Sequence, residues 1–197
     1  MGAPLRRAGH VRAADGASIT WSVAEGRRGR RWRELVRVGD GRPGIRHSLL
    51  LEAEPDGRFS HLELSTGAGL LTLHPEGDGT LHGNAIVDHG EAGLEDATGV
   101  EHVRGLAWSA DGLALVDGSL VCQLAGIRSL HEVIEPSASR SLPAVWIPET
   151  LWLEVKPIRV ERVDDRRWRF GAAPVIEVDD DGLPVSADGA IWPLEDV

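Results

Sequence analysis

The side chains able to do chemistry in this chain are plentiful, but few stand at the spacings chemistry needs. Eight histidines occur without a His-x-His pair or a His-Glu-x-x-His run, the patterns that bring two ring nitrogens to one ion from a single element. His61, His74 and His82 sit on successive strand-like runs and can meet only across a sheet. Scattered surface imidazoles account for them as well, and no metal site is assigned. Asp164 with Asp165, and Asp179 to Asp181, could serve acid–base hydrolysis if two of their carboxylates faced one cavity. Both runs flank turns, where acids support tight backbone geometry and solvate loops. Ser109 and Ser119 lack a Gly-x-Ser-x-Gly setting. Cys122 is the single cysteine, so neither an intrachain disulfide nor a cysteine zinc site can be built. It falls in a strand-like run, as a small buried apolar group would. The glycines lie between strands rather than ahead of a helix, so no phosphate-cradling loop is read and no cofactor is expected.

Binding chemistry is better represented. Arg27 to Arg33, RRGRRWR, gathers five arginines around a glycine and one tryptophan. Such a tip could hold a phosphate or carboxylate, or simply offset acidic neighbours. The formal charge of −10 argues against nucleic acid as a partner. Seven tryptophans stand against no tyrosine. Trp carries a large apolar area and one donor, which suits either a core poor in aromatics or the wall of a cavity facing both lipid and water. Trp108, Trp146 and Trp168 are the candidates for a wall, each placed in mid-strand by the pattern.

These groups need a scaffold, and the sequence points to strands. Eight Asp-Gly dipeptides punctuate the chain, beginning at Asp15, Asp40, Asp56, Asp78, Asp111, Asp117, Asp181 and Asp188. Asp and Gly tolerate the positive φ of tight hairpin turns, so each dipeptide between alternating runs marks a hairpin. The runs are Ser18 to Val23, Trp32 to Val38, Ile45 to Glu54, Phe59 to Ser65, Leu70 to His74 and Thr80 to Val87. Within Ile45 to Ala53 the odd positions are largely apolar, one face for a core and one for water. His89 to Gly99 reads as a loop. Short strands resume at Val103 to Trp108, Leu113 to Val116 and Leu120 to Leu124. Leu130, Val133 and Ile134 could make one helical turn before Pro136. Ser137 to Leu142 has linker composition. From Leu151 the alternation changes phase after Pro157, which predicts one long strand with a bulge or bend near Lys156 and Pro157. Trp168 and Phe170 then share a face, beyond an Asp164–Asp165 corner.

A meander of about ten or more strands curls, because twist accumulates and open edges are costly. The expected fold is all-β and mainly antiparallel: a single-domain β-roll or half-barrel over residues 1–197, with at most one short helix and with residues 1–14 as a disordered start. The opening residues carry no apolar stretch behind Arg6 and Arg7, and Arg6 stands where myristoylation needs Ser or Thr. No run reaches the roughly 20 apolar residues of a membrane helix. With one cysteine, a reducing, cytoplasmic setting is expected.

The order of strands and several short motifs resemble the bacterial glycolipid-binding family, whose spiral β-roll is related to that of periplasmic lipoprotein carriers. The motifs are GIRHSLLLEAE from Gly44, FSHLELS from Phe59, IRSL from Ile127, RRWRF from Arg166, the Asp181-Gly182-Leu183 run, and Gly189 to Trp192 with one extra residue in its closing Gly-x-Trp. The chain departs from the family at Leu115 to Leu130, LVDGSLVCQLAGIRSL. There the family carries Asp-Val-Asp and then Thr-Pro-Phe-Thr-Asn-Thr-Leu-Pro-Ile-Arg-Arg-Leu; Asp117, Ile127, Arg128 and Leu130 remain. The resemblance implies a noncatalytic protein holding a hydrophobic or glycolipid ligand in the concave face of a curved sheet. Trp108, Trp146 and Trp168 would line that face, with Asp117 and Arg128 among the ligand-binding residues and Arg128 or another edge arginine meeting a polar head. The rival is a hydrolase-type enzyme on the same roll, with carboxylates or histidines gathered at the cavity mouth.

Overall fold

The computed structural model describes residues 5–13, 16–38, 44–88, 98–187, 190–191 and 195–196. Nine strands form one antiparallel sheet. In chain order they are β1 (Arg6–Arg12), β2 (Ser18–Gly26), β3 (Gly29–Arg37), β4 (Ile45–Ala53), β5 (Phe59–Thr66), β6 (Gly69–Pro75), β7 (Thr80–Asp88) and β8 (Thr98–Ala107), with the C-terminal β16 (Glu195–Asp196) added beside β1. A second sheet takes β9 (Leu113–Val116), β10 (Ala138–Ile147), β11 (Glu154–Arg162), β12 (Arg167–Phe170), β13 (Ile176–Val178), β14 (Pro184–Ala187) and β15 (Ala190–Ile191). Helix α1 (Leu120–Leu130) makes the crossover between β9 and β10, a parallel pair. That follows from topology, since a parallel pair needs a connection long enough to return to the same end of the sheet. The curled sheets form a half-barrel, an all-β, mainly antiparallel roll with one short helix.

The meander forms where alternation and turn chemistry agree. In β4, His47, Leu49, Leu51 and Ala53 point inward while Ile45 is exposed. The Asp56-Gly57 and Asp78-Gly79 corners work as read, with both glycines at positive φ, and Asp78 Oδ1 accepts from the Thr80 amide at 3.0 Å. Gly29 has no substitute at the β2–β3 corner. Its φ is +107°, and a Cβ there would lie 2.0 Å from the Ala53 carbonyl oxygen. The Asp15, Asp40 and Asp188 corners, most of the predicted loop from His89 to Gly99, and Trp192 lie outside the described residues.

The interior is organised around α1, and here the structure corrects the expectation of a strand at Leu120 to Leu124. Eight of the helix's eleven residues are buried, Leu120, Val121, Cys122, Leu124, Ala125, Gly126, Ile127 and Leu130. A helix wrapped on nearly every side has no polar face, so the 3.6-residue signal is absent from its sequence. Its ends are held by ions from the two sheets. At the N-terminus the buried Glu34 of β3 accepts from the backbone amides of Leu120 at 3.2 Å and Val121 at 3.4 Å. Ser119 caps the next amide, Cys122, at 3.3 Å. The other Glu34 oxygen meets Nε2 of the buried His47 at 3.1 Å. At the C-terminal end, Arg162 of β11 donates from Nη1 to the carbonyls of His131 at 2.9 Å and Ile134 at 3.0 Å. A carboxylate at the start and a guanidinium at the finish both suit the helix dipole and satisfy groups the helix leaves unpaired.

Four further expectations are corrected. Residues 133 and 134 only close a turn onto the Leu130 carbonyl beyond α1. The supposed linker contains the first half of β10, Ala138 onward, paired with β11 from Arg162 to Ile158. The strand predicted from Leu151 begins only at Glu154, because Leu151 turns its backbone to φ 63° and its amide donates to the Pro148 carbonyl. That turn, rather than a bulge at Pro157, resets the phase: the β10–β11 register runs unshifted from Ala138↔Arg162 to Trp146↔Glu154. Pro157 faces Pro143 across the pair. Both lie just beyond the neighbouring ladders, which stop at Val160 with β12 and begin at Ala144 with β9, so neither missing amide is required by a third strand. Over the disordered start expected for residues 1–14, Arg6–Arg12 form β1 and pair with β2 from Ser18 to Ala24.

Candidate functional site

Where the N-terminal turn of α1 meets β1, β2 and the inner face of the second sheet, packing leaves a cavity of about 440 Å³. Val11 and Ile19 come from the large sheet, Leu120 and Gln123 from α1, and Leu115, Trp146, Ile158, Phe170, Ile176 and Ala187 from the smaller sheet. The turn from Gly171 to Pro174 closes one side, and the Asp117-Gly118 corner sits at the rim. That corner is fixed by a 2.9 Å bond from the Asp117 amide to the Ile147 carbonyl and by the positive φ of Gly118. Asp117 thereby holds its carboxylate exposed beside the opening. Only Asp117 and Gln123 contribute polar side chains to a lining that is otherwise apolar or backbone.

The residues singled out in the sequence divide among three places. Trp146 and Asp117 are in the cavity. Trp146 is half-buried, with the Lys156 ammonium 4.6 Å from its ring centroid. Trp168 is fully buried, its ring under the Arg162 guanidinium at 5.4 Å and beside His131 at 6.3 Å. Trp108 stands just past the end of β8, not in mid-strand, and meets Phe59 edge-on at 5.4 Å. Arg128 lies at the far end of α1, in a polar cleft of about 710 Å³ with Glu25, Arg30, His131, Arg162 and Asp179 to Asp181. Its Nη1 donates to Glu25 Oε2 at 3.1 Å, which also accepts from Arg30 Nε at 2.8 Å. Burial pushes the Glu25 pKa up, but the hydrogen bonds and charges of Arg30 and Arg128 outweigh it and hold the group below the ordinary glutamate value.

That cleft gathers the ionisable groups a hydrolase would need, yet its geometry is that of paired charges. Arg166 meets Asp180 at 2.7 Å, Arg30 donates to the Asp181 carbonyl at 2.6 Å, and Asp179 accepts from two turn amides. At the rim of the apolar cavity Asp117 is the one carboxylate in the lining. The histidines follow the same logic: His74 faces His82 across β6 and β7, but His74 bonds Glu76 at 3.0 Å and His61 bonds Glu63 at 3.1 Å, each within its own strand region. Among the described residues no group of three or more His, Cys, Asp or Glu side chains could hold a metal ion. Burial raises the Cys122 thiol to about 12, so it is an inert core group.

Sequence reasoning missed Gln123, because it lay in a segment read as strand. It missed Glu34, His47 and Arg162 because each sits in an otherwise ordinary alternating run. Among the described residues no helix is long and apolar enough to cross a membrane.

No family model matches the chain, and no curated protein matches it. A crystal structure of a DUF1089 family protein from Pseudomonas aeruginosa is similar in fold, with a TM-score of 0.51 and 16% sequence identity over 95% of this chain and 91% of that one. At that identity the likeness carries the architecture: this chain shares the curled β fold of that DUF1089 protein.

Proposed function

We propose that the protein binds a hydrophobic or amphipathic small molecule, an acyl chain or a glycolipid, in the cavity beside α1, and that it does so without catalysis. The observation that carries this reading is the lining: a hollow of about 440 Å³ walled by aliphatic side chains, Trp146 and Phe170, with only two polar side chains. Small-molecule sites commonly enclose about 300–1,000 Å³ with the same balance of many apolar and few polar groups. Trp146 and Asp117 are the ligand contacts in this reading. Trp168 and Trp108 fill the interior, and Arg128 holds the ion cluster around Glu25. The driving force is transfer of hydrocarbon out of water, about 0.8 kcal/mol for each methylene enclosed.

Two measurements test it. Extraction of purified protein followed by mass spectrometry should find lipophilic material in repeated preparations. Titration with n-alkan-1-ols of increasing length should tighten Kd about fourfold per methylene until the hollow is full. An affinity that does not change with chain length would defeat the proposal.

A further inference from the structure

The proposed function leaves the size of the ligand open, and the inference here rests on that reading. Volume is the first observation. An apolar cavity of about 150 Å³ takes up one benzene, so on that scale a hollow of about 440 Å³ has room for roughly eighteen carbons. One acyl chain of ordinary length uses that space up. A lipid carrying two such chains overfills it.

The second observation is that the space does not continue around the helix. On the other flank of α1, between Leu51, Phe59, Leu113, Cys122 and Ala125, the gap is about 20 Å³, room for a single water. Trp21, Trp32 and Trp168, the bulkiest side chains of the interior, are each no more than 1% exposed and leave no further hollow around themselves. Helix α1 occupies the inside of the roll, with eight of its eleven residues buried. It is tied to β3 through Glu34 at its start and to β11 through Arg162 just past its finish. Room for a second chain comes only by moving the helix, which breaks those ties and leaves buried polar groups unpaired.

We infer that the cavity is a single-chain site whose capacity is set by α1: it encloses one hydrocarbon tail of up to about eighteen carbons, and a second tail on the same head stays in water. The ligand class is the one-tailed amphiphile, not the two-tailed membrane lipid.

The test measures partition between the full-length chain and phosphatidylcholine vesicles, separated by centrifugation. Both places are apolar, so an enclosed methylene gains nothing by transfer, whereas a methylene left outside the filled hollow is driven back to the bilayer. For n-alkan-1-ols of about eight to twenty-four carbons, the protein-to-vesicle ratio should stay level up to about eighteen and then fall about fourfold per added methylene. A monoacylglycerol should be taken up at least about a hundredfold better than the diacylglycerol with the same acyl chains, whose second tail is held outside. Ala173→Leu adds three carbons to the lining and should move the break about three carbons shorter, while Ile158→Ala removes three and should move it about three longer. Tryptophan fluorescence checks that each variant is folded, and either one alone carries the comparison. A break that ignores a folded variant, no break at all, or equal uptake of the two acylglycerols overturns the inference while the apolar site stands. If no alkanol leaves the vesicles and the uncharged dye Nile red does not bind either, the underlying reading falls.

Discussion

Glu34 offers the sharpest test of how this interior is held together. It is 2% exposed and serves three partners at once: the amides of Leu120 and Val121, and Nε2 of His47. Glu34→Gln keeps an oxygen for the helix amides but removes the negative charge at the helix start. The lost dipole interaction in a buried setting is at most ~2 kcal/mol. Charge-assisted bonds become neutral ones at a further cost of about 1 kcal/mol, so the expected loss is about 2–3 kcal/mol. Glu34→Ala leaves two buried amides and one ring nitrogen without an acceptor, at about 1–3 kcal/mol each. The sum, on the order of 5 kcal/mol, reaches the lower end of the ~5–15 kcal/mol that ordinarily separates folded from unfolded domains. Urea unfolding followed by tryptophan fluorescence reads both, provided m is unchanged. A Glu34–His47 double-mutant cycle separates the ring contact from the helix contacts. If Glu34→Ala costs less than about 1 kcal/mol, or no more than Glu34→Gln, the bond-by-bond reasoning is wrong.

Other perturbations follow from single features. Gly29→Ala combines a strained φ with a Cβ set against the Ala53 carbonyl, and should lower stability by about 2–4 kcal/mol in the same unfolding assay; a neutral result would mean the β2–β3 corner rearranges freely. Glu25 has a folded pKa below its unfolded one. In the interval between the two, the unfolded chain binds more protons, so the stabilisation it supplies is present above the ordinary glutamate pKa of about 4.3 and is lost as pH falls through the folded value. Glu25→Gln should therefore be less stable than the parent at neutral pH and converge with it in acid, and parallel urea-midpoint profiles from about pH 7 to 3 would contradict the ion cluster.

The meander was legible because each level agreed. In β4 the alternation and the Asp56-Gly57 corner agree, and its ladders shift only near their ends, at Val36/Arg37 with β3 and at Glu52/Ala53 with β5. Helix α1 was illegible because LVCQLAGIRSL is mostly apolar and its polar residues Gln123, Arg128 and Ser129 gather on no single face, and periodicity cannot separate a wrapped helix from a buried strand. Its flanks held a usable signal: Ser119 at the cap position and two inward charges elsewhere. Glu34 stands between Trp32 and Val36 on a buried face, and Arg162 follows the buried Val160 on another. An ionisable residue at an inward position of an apolar strand demands a polar partner inside. Here the partners are the two ends of α1. Of the residues singled out in the sequence, Trp146 and Asp117 line the hollow, whereas the convergence of β1, α1 and β12 on it is a product of the crossover, which no local pattern encodes.

The joints between sheets and helix also set the tempo of folding. Glu34 reaches Leu120 across 86 residues, Arg128 reaches Glu25 across 103, and Arg30 reaches the Asp181 carbonyl across 151. The hairpins from β2 to β7 can zip locally, but contacts of that span wait until residues 120, 128 and 181 have been made. Until then the apolar inner face of the meander has nothing to cover it. Stopped-flow refolding should accordingly show strand signal ahead of the quenching of Trp21 and Trp32, and simultaneous arrival of both would argue for a single concerted collapse.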